Sequence, residues 1–541
     1  MSLGLDREFI QTWSKQELSN GKGFDDLFTI DNIPLFWFHK RYFLKHVLPR
    51  PLNTYAELEG GRKINFLRKL YLQWSAMVLR KYLLFNEIKK IKSSGRISAL
   101  QRECAEAGHT ARKKALFLTY FDHLREGGSL YRTQGIIDKL QKDKVLEPFT
   151  LFVAQLSTKT NPIRKSRVIR EAKTIEEGSG LNTLYQYYDP YLDFKAKEKA
   201  DYFFKEWEKL DWADLNRAMT LKEQQWWPYL FPAFSLFMSK EFLYLTILYY
   251  ELCKKVIEKE RIAILILTTQ SGLLDRCMIA ASKTKGIPCM MVPHGFAAKY
   301  FTTDNIFDNM YFPLFDQTTR DIFIRRGVSA DQVRVTGPAI YDNILKYGGH
   351  KGRKEPSSTK NILLLTQPLI EDNQITASEY FNLIKRIVAE ITCLNGVSIT
   401  IKLHPRERGI RQYRKLARGF AATRISIQQQ GNNDLLYSLL EKADVVVNFN
   451  ATAAILEASI LDKPSITFPL NKKRSLNYGD FDPSVYVWDL KSLNPTIENL
   501  LGNPSLLRQK RQVMVQEFCS VVDGKASERI AQWCYEILNK K

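Results

Sequence analysis

The chain has 541 residues, 45% apolar and 26% charged, which excludes a wholly disordered protein and leaves room for two or three domains with proper cores. Its 80 Lys and Arg outweigh 58 Asp and Glu, and the formal charge of +22 favours anionic partners: nucleic acid, anionic lipid or phosphorylated small molecules. Seven widely spaced cysteines without a CxxC pair suggest neither a disulfide framework nor a thiolate zinc site, and point to a reducing cytoplasm.

The opening MSLGLDREFI has no basic stretch followed by an apolar core, so no signal peptide is expected. Residues 1–110 read as a helical region rich in aromatics and basic residues. From Ile64 to Lys92 apolar residues return every three or four positions with Lys and Arg between them, the pattern of a basic amphipathic helix. Such a helix either lies on an anionic membrane surface or packs on the body of the protein with a basic solvent face.

Residues 111–350 read as a first α/β domain. ALFLTYF is a strand, and the loop behind it carries Asp122, His123, Glu126 and two glycines. FTLFVAQL, 149–156, is a second strand, and 158–225 reads mostly helical and polar with a break at 178–180. Trp226 to Tyr250 is the stretch nearest to a membrane span. Pro228 and Pro232 break its start and Lys240-Glu241 its middle, so a buried or surface-docked helix is expected instead. Strand and helix then alternate: RIAILILTT, the helix after QSG, IPCMMVPHG, NMYFPLF, a helix stopped by Gly327, and QVRVTGP. Short connections between such elements give a parallel sheet covered by helices.

The polar stretch 349–361 reads as a linker to a second α/β domain, 351–541. There the strands NILLLTQPL, SITIKLHP, RISIQQ, DVVVNFN and SITFPL alternate with helices over 377–392, from about 409, over 433–441 and through TAAILEASILDK. The predicted fold is α/β, two Rossmann-like domains facing a cleft. Open parallel sheets bind ligands outside the carboxyl ends of their strands.

Four strand ends carry the candidate chemistry: Gln270, Ser271 and Gly272; His294 and Gly295; Lys402, His404, Pro405 and Arg406; and Asn448, Asn450, Thr452 and Ala453. Pro405 holds His404 in extended backbone, where imidazole and the Arg406 guanidinium can share a phosphate or protonate a departing one. Thr452 is a candidate helix N-cap, and the first-turn amides behind it can bind phosphate oxygens. Glu457, on the same helix, is spaced to face a nucleoside sugar or is a surface glutamate. His294 precedes Gly295, which permits a tight turn or a close ligand approach, so it either meets phosphate and acceptor or serves structure. The chain has no GxGxxG at a first strand, no P-loop, no HExxH and no GxSxG.

KLHP, NFNATAAILEASILDKPSITFP and PHG together resemble GT-B glycosyltransferases of the bacterial surface-polysaccharide group. That group takes in sialyl-, Kdo- and polysialic-acid-type transferases and, more distantly, CDP-glycerol glycerophosphotransferases. The resemblance covers roughly residues 110–541. It places Lys402, His404 and Pro405 on the family's Lys-x-His-Pro element and Asn450, Ala451 and Thr452 on its Ser/Thr-rich element. Here Ala451 and Ala453 flank a single hydroxyl residue, and the acidic-acidic-Gly base motif is met only loosely by Arg125-Glu126-Gly127.

By this resemblance the expected activity moves a sugar from a nucleotide donor, CMP-sugar favoured, to a surface-polysaccharide or lipid-linked glycan, as in capsule or lipopolysaccharide biosynthesis. Glu126, with Asp122 second, is the expected base; His294 and His404 complete the catalytic set. No cofactor and no metal is expected. The basic first region suggests a cytoplasmic enzyme peripheral on the inner face of the membrane. Two alternatives stand beside it: a UDP-N-acetylglucosamine 2-epimerase-like enzyme, and a non-catalytic basic nucleic-acid-binding protein. Widely spread Lys and Arg, with no zinc-finger or RNP pattern, argue against the last.

Overall fold

Runs such as Ile262–Leu267 and Val445–Phe449 are apolar at nearly every position, as strands buried on both faces must be. The computed structural model describes residues 13–14, 17–18, 21–42, 112–120, 130, 132–153, 182–221, 224–225, 227–270, 272–293, 308–348, 359–371, 375–404, 407, 409–420, 425–429, 433–450, 452–469 and 483–540. By internal contacts the chain divides into two compact units: 1–121 with 144–291 and 307–311, and 122–143 with 292–306 and 312–541.

A seven-stranded sheet is built from β1 (Lys114–Tyr120), β2 (Glu147–Val153), β3 (Asn182–Thr183), β4 (Ile262–Leu267), β5 (Cys289–Met291), β6 (Met310–Leu314) and β7 (Val333–Val335), in the order β7-β6-β5-β4-β1-β2-β3. A six-stranded sheet holds β8 (Lys360–Leu365), β9 (Val397–Lys402), β10 (Ile425–Gln428), β11 (Val445–Phe449), β12 (Ser465–Phe468) and β13 (Ser484–Tyr486), in the order β10-β9-β8-β11-β12-β13. Every pairing in both sheets is parallel. Two parallel sheets, each flanked by helices, make the α/β architecture expected from the alternation.

In the first unit α1 (Leu35–Tyr42) brings buried Leu35, Phe36, Trp37 and Phe38 to the body. Trp13, Phe24, Phe36 and Phe234 pack ring against ring, with centroids 5.0–6.5 Å apart. This part of the first region therefore packs inward; the amphipathic stretch 64–92 lies outside the described residues.

Helices predominate in the described part of 158–225, as expected, with short strands that the sequence did not announce. Asn182–Thr183 adds an edge strand beside β2, α3 (Pro190–Glu208) and the shorter helix Trp212–Ala218 follow, and Thr220–Leu221 then pairs antiparallel with Gln224–Gln225. All three strands are two residues long, too short to show a period. The apolar stretch 226–250 resolves into two helices, Trp227–Phe237 and α4 (Lys240–Lys259), with Ser239 capping the second. α4 is a core helix, burying twelve side chains from Leu243 to Ile257. Among the described residues no helix is long and apolar enough to cross a membrane.

In the second unit alternate residues of β8 feed opposite layers. With α2 (Gln134–Asp143) and α5 (Leu273–Thr284) earlier in the chain, Ile362 and Leu364 join Tyr380, Ile384 and Ile387 of α6 (Ala377–Thr392). Leu363 and Leu365 join Tyr341, Ile344 and Tyr437 on the other side.

Candidate functional site

The six-stranded sheet reverses its strand order at β8. β9 and β10 build outward on one side, and β11 to β13 on the other. The carboxyl end of β8 is therefore the topological switch point, where open α/β sheets hold ligands. Leu365 pairs with Lys402 of β9 and with Asn448 of β11. The two sequence motifs thus leave the sheet at the same level, two strand spacings apart, about 10 Å. Thr366 and Gln367 emerge between them.

Each motif is fixed by its own contacts. Lys402 is buried and its Nζ donates to the carbonyl of Leu403 at 2.9 Å. The main-chain N–H of His404 donates to Glu407 at 2.7 Å and lies 3.2 Å from the Thr366 hydroxyl, while the N–H of Glu407 returns to the carbonyl of His404 at 2.9 Å. Glu407 is itself buried, and accepts from Thr366 Oγ1, from Tyr413 Oη at 2.8 Å and from Tyr380 Oη at 3.4 Å. Burial holds its carboxyl above the usual range, against the opposing pull of these hydrogen bonds. Tyr380 sits on α6, and Tyr413 on α7 (Ile410–Arg418).

On the other side, Asn448 is buried and donates to the carbonyl of Ile466 at 2.9 Å, leaving its Oδ1 buried without a partner among the described residues. Asn450 adopts φ +54, a left-handed turn that asparagine tolerates better than most residues, and its N–H bonds the carbonyl of Phe468. Gln367 donates to the carbonyl of Phe449, tying β8 to this turn.

Thr452 takes the N-cap position of α8 (Ala453–Ile460) in extended backbone, but its side chain makes no capping bond. The first-turn N–H groups of α8 are thus not consumed by that hydroxyl, and a helix start of this kind suits an anion. Glu457 is buried, so the surface-glutamate reading falls, and burial alone pushes its carboxyl up to about 8.

Of the other candidates, Gln270 and Gly272 belong to the first sheet, past the end of β4. Gln270 is buried, and its carbonyl accepts from Arg276 Nε at 3.3 Å. Gly272 caps α5 and bonds Asp275 at 3.0 Å. A Cβ there would stand 2.8 Å from Tyr120 Oη, which bonds Asp275, so packing accounts for this glycine. Asp122, Glu126, Ser271, His294, Gly295, Pro405 and Arg406 lie outside the described residues. Thr366, Gln367, Tyr380, Glu407 and Tyr413 escaped the sequence reading. Glu407 alone left a trace there, an acid three residues after the histidine.

The profile of one family, alpha-2,8-polysialyltransferase (POLYST), matches residues 279–467, which take in both motifs. No curated protein matches. Among solved structures the chain is similar to S. aureus MnaA in a co-structure with UDP (13% identity, 79% of this chain and 97% of that one, TM-score 0.45). It is also similar to the UDP-GlcNAc 2-epimerase of Neisseria meningitidis bound to UDP-GlcNAc (12%, 78% and 100%, 0.45). A third is a variant of the wall teichoic acid polymerase TagF (12%, 88% and 99%, 0.45).

Proposed function

We propose that this chain is a nucleotide-sugar-utilising enzyme of the GT-B kind, with its donor end on the six-stranded sheet. The observation that carries this reading is the switch point at β8, flanked in register by the Lys402–His404 and Asn448–Thr452 turns. The start of α8 binds the donor phosphate through first-turn N–H groups, and His404 with Arg406 neutralises charge on the leaving nucleotide, Pro405 restricting the backbone between them. Asn450, Ala453 and Glu457 line this end, Glu457 toward the nucleoside sugar. Glu126, with Asp122 second, is the proposed base that takes the proton of an acceptor hydroxyl as it attacks the anomeric carbon, and His294 orients the acceptor.

The polysialyltransferase profile supports transfer to a glycan. UDP-N-acetylglucosamine 2-epimerases recur among the matched structures, and the comparisons give the epimerase-like alternative more support than CMP-sugar transfer. The basic composition supports a peripheral place on an anionic membrane.

A thermal-shift series with CMP, CDP, UDP, GDP and their sugars on wild type and His404→Ala tests the reading. One nucleotide should raise Tm, and the rise should shrink in the variant. Product analysis then separates the chemistries: an epimerised nucleotide sugar forms without acceptor, whereas transfer consumes one. Two folded proteins that respond to no nucleotide would overturn the proposal.

A further inference from the structure

The buried carboxylate of Glu407 sits where a plain hydrophobic residue would cost less, because burying a charge is expensive unless it is well bonded. Four donors converge on it from separate parts of the fold: Thr366 at the end of β8, Tyr380 on α6, Tyr413 on α7, and the N–H of His404 in the loop after β9. Its own N–H closes the loop onto the carbonyl of His404 at 2.9 Å. Tyr380 Oη also bonds the main chain of Gln367: it accepts from the Gln367 N–H at 3.2 Å, and its single proton is shared between Glu407 and the Gln367 carbonyl, 3.1 Å away. Gln367 in turn reaches the carbonyl of Phe449. A continuous chain of hydrogen bonds thus runs from the His404 loop through Glu407, Tyr380 and Gln367 to the turn that leads into α8.

We propose that Glu407 is a positioning residue for the nucleotide-sugar reaction: its carboxylate fixes the main chain of His404 and, through Tyr380 and Gln367, sets that loop against the Asn450 turn. It touches no substrate and acts through His404. This inference rests on the function proposed above. Its signature is dependence on His404, since a residue that works by placing another has nothing left to do once that side chain is gone.

Glu407→Gln keeps the volume but replaces one acceptor oxygen by an N–H facing donors. With the nucleotide sugar that stabilises wild type, kcat should fall about 10- to 100-fold, the range for a misplaced reacting group, with a smaller change in KM. In a His404→Ala background the same substitution should change kcat less than twofold. Multiplying losses in the double variant would mean general damage and overturn the proposal, as would wild-type kcat in folded Glu407→Gln. Should Glu407→Gln fail to fold by circular dichroism, Tyr413→Phe removes the 2.8 Å donor together with that hydroxyl's bond to Tyr380, and its smaller kcat loss must likewise vanish without His404. A wild-type protein inert to every nucleotide sugar would sink the functional reading itself, a different outcome from either of these.

Discussion

The guanidinium of Arg276 donates to the main-chain carbonyl of Trp37 at 2.6 Å, across 239 residues of chain, and stacks 4.6 Å from the Trp37 ring. Its Nε reaches the carbonyl of Gln270, so one buried cation joins α1 to the strand end that carries TTQSG. Arg276→Met should fill the volume while leaving these carbonyls unpaired, at about 2–4 kcal/mol. Urea unfolding measures the loss; an unchanged midpoint would deny the guanidinium this role.

Glu457 gives stability a definite pH dependence. Its carboxyl titrates near 4.5 unfolded and about 8 folded, so the folded state binds the proton more tightly. The contribution of this one group to stability is then fully present below pH 4.5 and is lost as pH rises through 4.5 to 8, by roughly 3–6 kcal/mol. Glu457→Gln should flatten that slope and raise Tm at pH 8.5. Parallel pH profiles for the two proteins would refute the assignment.

Gly337 has φ +79, and a Cβ there would stand 2.5 Å from the carbonyl oxygen of Val521, a main-chain atom with little room to yield. Gly337→Ala should therefore cost about 1–3 kcal/mol. Gly286, also at positive φ (+65) but with nothing within 4 Å of the added atom, supplies the control. Gly286→Ala should lose only the smaller backbone cost, and equal losses at both sites would show that the contact is immaterial.

Membrane attachment is tested without deleting the first region, because Trp13, Phe24, Phe36 and Trp37 are core residues of the first unit. Changing Arg68, Lys69, Arg80, Lys81, Lys89, Lys90 and Lys92 to Gln removes charge from the amphipathic stretch alone. Sedimentation with anionic liposomes should be lost, as about 1 kcal/mol goes with each basic residue near the surface. Retained sedimentation would place the contact elsewhere.

Much of the strand pattern was legible because buried parallel strands announce themselves as unbroken apolar runs, and the KLHP and NFNAT turns follow two of those runs directly. The two-residue strand β3 had no period to show. What made the site cohere was harder to read. Glu407 looks like one more charge in a basic stretch, and only the fold brings Thr366, Tyr380 and Tyr413 to it. The Arg276–Trp37 bond was invisible for the same reason: nothing local at either residue hints at a partner 239 positions away.

The helix Ala526–Asn539 closes on much earlier chain. Lys139 pairs with Glu528 at 3.0 Å and Tyr535 with Asp143 at 3.1 Å, across 389 and 392 residues, and Asp342 accepts from the N–H groups of Ala526 and Ser527. On the ribosome, the segment Gln134–Asp143 must therefore wait through most of synthesis for its partner, at about 5–20 residues per second roughly 20–80 s. Nascent chains stalled before residue 526 should expose the apolar side of that early helix and recruit chaperones, and emergence of residues 526–539 should end the association.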